Sequence, residues 1–249
     1  MDMTKRFYLS LLIFFFLLSF FCNSLAYSQA TGSDDAITAS GGTILEKLVF
    51  FGDSTTHGLI RYNVENNGVH GINYHTLKRS QIWTTPEGTF YLGNLLSTTV
   101  RLEDETTLPL QDACRKYKPQ YLVITVGING LRTWTEADFT RYYDKLISMV
   151  QEASPQTQVI LQSVFPVAKV RDSRLSEFTP DRINTLNLWI RSIAASNSIP
   201  FLNTAAALKD NDGFLCSEYH NGDGLHLNTK GYNAILKYIE NNYNVVYNS

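Results

Sequence analysis

Leu48-Val49-Phe50-Phe51-Gly52-Asp53-Ser54-Thr55 is a short apolar run that breaks on a glycine and delivers an acid and two hydroxyls at its end. Such a run, bounded by Gly and by residues that favour helix caps, reads as a buried strand, with a helix starting at Thr55 or Thr56. Further apolar runs stand at Tyr121 to Val126, Val159 to Val164 and Pro200-Phe201-Leu202. Segments of helical spacing lie around them. Ala137 to Ala153 lines up Phe139, Tyr142, Tyr143, Leu146, Ile147 and Val150 and stops at Ser154-Pro155, and Ile183 to Ala194 lines up Ile183, Leu186, Trp189, Ile190 and Ile193. A last helix is predicted over Thr229 to Asn241, through Tyr232, Ile235, Leu236 and Ile239. Strands and helices in alternation imply right-handed crossovers and a parallel sheet covered on both faces, an α/β fold. Ligands of such sheets bind beyond the carboxyl ends of the strands, so the residues just after each run are the functional candidates.

The rest of the composition narrows the class. Of 249 residues, 21 are Lys or Arg and 23 Asp or Glu, a formal net charge of -2, which lacks the basic footprint of a nucleic-acid binder. At 44% hydrophobic and 18% charged the chain reads as globular. Cys22, Cys114 and Cys216 lack the short paired spacing of a structural zinc site, and no metal or cofactor is expected. At the N-terminus, Lys5 and Arg6 precede an apolar run from Phe7 through Cys22, followed by Ser24-Leu25-Ala26 and Ser28-Gln29-Ala30. That order is the one of a secretory signal peptide, and the run is shorter than the roughly 20 residues that span a bilayer. Residues 1–30 are therefore expected to be a signal peptide or an uncleaved signal-anchor, 31–43 a flexible leader and 44–249 the folded domain. Lipidation at Cys22 is disfavoured by the bulky Phe21. The domain is expected outside the cytoplasm, secreted or at the cell surface, touching membrane only through the N-terminal segment if that is retained. Cys114 and Cys216 would there be free to pair if the fold brings them close.

Three strand-end or helix-entry stretches carry possible chemistry. Ser54 would expose its hydroxyl at the sheet edge, as a nucleophile needs, or serve as a helix N-cap. Asn129, in Gly127-Ile128-Asn129-Gly130, can aim an amide N–H at a developing oxyanion, or be the turn residue that Asn-Gly usually signals. His226, three residues after Asp223 in Asp223-Gly224-Leu225-His226, can move a proton while the carboxylate holds its other ring nitrogen, or be an ordinary helix-entry histidine. His57, His70, His75 and His220 read as structural or peripheral, with a weak case for His220 beside Asp223.

Together, Gly-Asp-Ser after the first strand, Gly-x-Asn after a central strand and Asp-x-x-His before the last helix resemble the SGNH, or GDSL-type, hydrolases over about residues 46 to 242. GDSTTHGL, QIWT, ITVGING, LQSVFPV and GDGLHLN look like extracytoplasmic members of esterase type. The resemblance implies a three-layer α/β/α sandwich with a flavodoxin-like sheet, Ser54 as nucleophile, His226 as base, Asp223 as its orienting partner, and Asn129 with the Ser54 N–H as oxyanion donors. Two positions depart from the family. Gly130 stands where an Asp usually follows the oxyanion Asn, so support for that loop must come from elsewhere. The further backbone donor is open among Gly88, Gly93 and an N–H near Thr84.

Trp189 is expected in the core, whereas Trp83 and Trp134 are candidates to wall a sugar site. Lys78-Arg79, Arg115-Lys116-Lys118 and Arg171 to Arg174 read as solvated faces. The resulting expectation is a serine esterase without cofactor, acting on a small-molecule or polysaccharide ester, with small acyl groups such as acetyl preferred. An O-acyltransferase and a non-catalytic carbohydrate-binding module on the same fold are the alternatives.

Overall fold

The computed structural model describes residues 43–64, 77–169 and 175–242, all within one unit spanning Gly42–Ser249. The expected signal segment, the leader up to residue 42, His70, His75, Arg171 to Arg174 and the tail after Asn242 lie outside the described residues.

Seven strands form one sheet: β1 (Leu48–Gly52), β2 (Ile82–Thr84), β3 (Thr99–Arg101), β4 (Thr107–Pro109), β5 (Tyr121–Thr125), β6 (Gln158–Gln162) and β7 (Phe201–Leu202), in the order β4-β3-β2-β1-β5-β6-β7. From β2 to β7 the neighbours are parallel, and β1 sits against β5 with Gly52 opposite Thr125. The helices are α1 (Ser54–Leu59), α2 (Leu110–Tyr117), α3 (Glu136–Ala153), α4 (Pro180–Ser196) and α5 (Thr229–Asn241).

The central strands are apolar on both faces because both faces are covered. Phe51, Leu122 and Ile124 point to a core shared with Phe139, Tyr143, Leu146 and Val150 of α3 and Leu186 and Ile190 of α4. Their immediate neighbours Phe50 and Val123 point the opposite way, into a second core with Leu59 of α1 and Tyr232, Ile235, Leu236 and Ile239 of α5. The period of two along each strand thus divides the chain into three layers, helix, sheet and helix. The sandwich is the one expected.

One edge differs from the sequence-based expectation of an all-parallel sheet. β3 runs antiparallel to β2, and β4 antiparallel to β3. Only a tight turn joins β3 to β4, with Leu102 N–H on the Thr106 carbonyl at 2.9 Å and Glu105 at φ 63, and such a turn has no room for a crossover helix. These strands and β2 are three residues each, too short to show a period in the sequence.

Trp83 is 2% exposed on β2 and belongs to the core, with its indole N–H on the Ser80 carbonyl. Trp189 packs against the core beside Phe139, as expected. Cys114 and Cys216 are both free thiols; Cys114 is buried on α2, where burial pushes its thiol up to about 12.

Candidate active site

The turn from β1 into α1 is built for close approach. A Cβ on Gly52 would lie 2.1 Å from Thr56 Oγ1 and 2.5 Å from the Thr125 carbonyl, so only glycine lets the chain pass between β5 and the new helix. Asp53 then caps α1: its Oδ1 accepts from the Thr55 backbone N–H at 3.0 Å and from the Thr55 hydroxyl at 2.8 Å. Because the aspartate serves as cap, Ser54 is the first helical residue and its hydroxyl is available to another group. Asp53 is fully buried, and that burial raises its carboxyl to about 6, against the opposing pull of the Thr55 hydrogen bonds and of nearby His226.

The other group is His226. Its Nε2 lies 2.8 Å from Ser54 Oγ, and its Nδ1 lies 2.7 Å from Asp223 Oδ2. An ionised carboxylate only accepts, so the neutral ring carries its proton on Nδ1 and Nε2 accepts from the serine hydroxyl. The loop holding the pair is stabilised locally. Asp223 Oδ1 accepts from the backbone N–H groups of Leu225 at 2.7 Å and His226 at 2.8 Å, around Gly224 at φ 81. Leu227 is fully buried, and Asn228 caps α5 through the Gly231 N–H while donating to the Glu218 and His220 carbonyls. Burial acts to raise the Asp223 carboxyl, but the hydrogen bonds from His226 and Leu225 outweigh it and hold the group below the ordinary carboxylate value. His220 does not reach Asp223; its Nδ1 accepts from the Gly222 N–H. His57 packs on Gly88 with Nδ1 3.2 Å from Thr84 Oγ1.

Of the two roles weighed for Asn129, the turn is present. The Leu131 N–H closes a turn onto the Ile128 carbonyl across Asn129-Gly130, with Gly130 at φ 87, the left-handed value that position requires. Its side-chain Nδ2 donates to the Phe90 carbonyl at 2.8 Å, which uses one of two N–H groups and leaves the other for a ligand oxygen. No hydrogen bond joins it to Ser54 or His226; it stands at the end of the adjacent strand. Support for its loop comes from Trp134, whose indole N–H donates to the Asn129 carbonyl at 3.2 Å. Of the open backbone donors, Gly88 is withdrawn, since its N–H closes a turn onto the Thr85 carbonyl. Gly93 and the region of Thr84 remain. Sequence reading passed over Asp53 as the cap and over Phe90 and Tyr91 as the partners of the Asn129 loop. A Gly-Asp-Ser-Thr run gave a signal for the first, whereas nothing local marks the second.

The Ser54 site is open: the side chains of His226 and Asp223 are 31% and 45% exposed. Cavities of about 700, 430 and 360 Å³ lie elsewhere, around Arg191 and Phe201, around Leu95 and Tyr142, and around Trp83 and Tyr117.

Comparison with known proteins agrees with this fold. Structures of similar fold include a GDSL-like lipase from Bacteroides thetaiotaomicron (20% identity, TM-score 0.53, covering 82% of this chain and 90% of that one). The lipopolysaccharide acetyltransferase periplasmic domain of Salmonella ser. Paratyphi A is also similar (19% identity, TM-score 0.51, covering 80% and 84%). A Streptococcus pneumonia protein is similar at 19% identity and TM-score 0.57, covering 82% and 86%. No curated protein matches by sequence. The family model for GDSL-like lipases and acylhydrolases matches residues 50–234, which takes in the end of β1, Ser54, Asn129, Asp223 and His226, and the chain belongs to the GDSL-like lipase/acylhydrolase family.

Proposed function

We propose that the protein is an exported serine esterase that removes small acyl groups, acetyl above all, from carbohydrate or cell-wall esters. The observation that carries this reading is the hydrogen-bonded series Ser54 Oγ, His226 Nε2, His226 Nδ1 and Asp223 Oδ2. His226 takes the hydroxyl proton as Ser54 Oγ attacks the ester carbonyl, and the imidazolium so formed is stabilised by Asp223. The free N–H of Asn129 and the Ser54 backbone N–H hold the oxyanion. His226 returns the proton to the leaving alcohol, water enters, and the same steps in reverse order release the acid and regenerate the serine.

Two observations favour a short acyl group on a bulky alcohol. The side chains of His226 and Asp223 are partly open to solvent, and the cavities around Arg191, Trp83 and Leu95 do not include Ser54 or His226. A long acyl chain would need an apolar channel at Ser54, while a polymer needs only access. Export rests on the basic and apolar order of residues 5–30.

Incubation with a fluorophosphonate probe and hydrolysis of p-nitrophenyl acetate against the decanoate test this reading. Labelling at Ser54 and preference for the acetate are expected. An unlabelled protein would instead be a binding module, and product formation only with an added sugar acceptor would make it an acyltransferase.

A further inference from the structure

The Asn129 amide must be oriented before any substrate arrives, yet glycines at φ 122 and φ 87 (Gly127 and Gly130) flank its turn and leave the backbone free to rotate. What fixes it comes from two other segments. Phe90 presents the carbonyl that takes one amide N–H, and Phe90 itself is anchored by its buried ring, 5.3 Å from that of Phe51 in β1. Its neighbour Tyr91 lies across the opposite side of the turn. A Cβ on Gly130 would meet the Tyr91 ring at 2.4 Å, and that ring stacks on Trp134 at 5.2 Å and 20°. Trp134 closes the grip by donating its indole N–H to the Asn129 carbonyl, and Phe139 and Tyr142 of α3 hold the indole edge-on at 5.7 Å each.

We propose that Trp134 and Tyr91 are positioning residues for Asn129: the indole N–H and the stacked ring lock the Asn129-Gly130 peptide so that the uncommitted side-chain N–H faces the reacting carbonyl. They touch neither substrate nor proton. The clamp uses an aromatic stack and one hydrogen bond to remove the freedom that the two glycines bring, so that little reorganisation remains when charge develops on the oxygen. This inference rests on the esterase reading for its kinetic consequence, though not for its structural one.

The test is a double-mutant cycle with an independent spectroscopic readout. Trp134→Phe keeps an aromatic ring for Tyr91 to stack on and deletes only the donor. On p-nitrophenyl acetate it should lower kcat about tenfold with KM within twofold, because the lost interaction matters once the oxyanion forms. In an Asn129→Ala background the same change should alter kcat by less than twofold, since there is no amide left to position. Tyr91→Leu, at the half-exposed side of the stack, should show the same pattern. A purely structural role would lower both backgrounds equally, and that result would overturn the proposal, as would an unchanged kcat in Trp134→Phe. In ¹⁵N-labelled protein the Asn129 side-chain amide should give two well separated proton signals, one bonded to Phe90, and Trp134→Phe should bring them together. If those signals do not move, the positioning role fails whether or not the protein hydrolyses esters. If they move while the parent neither labels nor hydrolyses, the esterase reading fails and the clamp stands.

Discussion

Tyr232, in the first turn of α5, donates its hydroxyl to the backbone carbonyl of Thr55, the second residue of α1, at 2.6 Å. The bond ties the helix that follows His226 to the helix that begins with Ser54, across 177 positions of sequence. Room for it comes from Gly58, where a Cβ would lie 1.9 Å from the Tyr232 hydroxyl. Burial pushes the phenol well above its ordinary value, so it stays a neutral donor at any working pH.

Tyr232→Phe should therefore cost about 0.5–1.5 kcal/mol, the net worth of one buried hydrogen bond, since the Thr55 carbonyl keeps its place in the α1 helix. It should also lower kcat, because α1 and α5 lose their direct link. Urea denaturation and steady-state kinetics on the same preparation check both. A variant as stable as the parent would mean that water or a shifted side chain satisfies the carbonyl.

Ser54→Ala should abolish hydrolysis and fluorophosphonate labelling together while the midpoint of unfolding barely changes. Asp53, not Ser54, caps α1, so the deleted hydroxyl supports no helix end, and the cost should stay within about 0.5 kcal/mol. Residual labelling in the purified variant would place the nucleophile elsewhere.

Asp223→Asn should reduce kcat by on the order of a thousandfold or more with little change in KM. The amide keeps an oxygen for the Leu225 and His226 N–H groups, so the loop should persist. It can no longer hold the ring as the Nδ1–H tautomer or stabilise the imidazolium. A near-parental rate would mean that His226 works without this partner.

Asp53→Asn should trade activity for stability, and the trade should depend on pH. The carboxyl rises from 3.8 to about 6 on folding, so the folded protein binds that proton more tightly than the unfolded chain. The associated stability is complete below pH 4 and is lost as pH climbs through about 6. An amide removes the cost of ionising a buried group, so the variant should gain roughly 1–3 kcal/mol at pH 7.5 and about nothing at pH 4. It should hydrolyse more slowly, because the parent's negative charge favours the imidazolium of His226. Urea titrations at the two pH values decide it. An equal gain at both would point to packing instead of charge.

Much of this architecture is written locally. The runs at 48–51, 121–126 and 159–164 supply β1, β5 and β6 because they are predominantly apolar with no helical spacing, and α5 matches Thr229–Asn241 because the Asn228 cap marks its start and its apolar stripe its extent. Asp223 and His226 are also local: a carboxylate three residues ahead of a histidine, with Gly224 between, folds back on the backbone N–H groups after it whatever the rest of the chain does. Other features depend on partners far along the chain. The antiparallel seat of β3 against β2, the inward face of Trp83, the hold of Phe90 on Asn129, and above all the 2.8 Å approach of His226 to Ser54 across 172 positions arise only when the layers pack. Hydrophobic period encodes which face of an element is buried, and short side-chain-to-backbone bonds encode its ends. Neither encodes which strand ends meet, because that is decided by how the two cores close on the sheet.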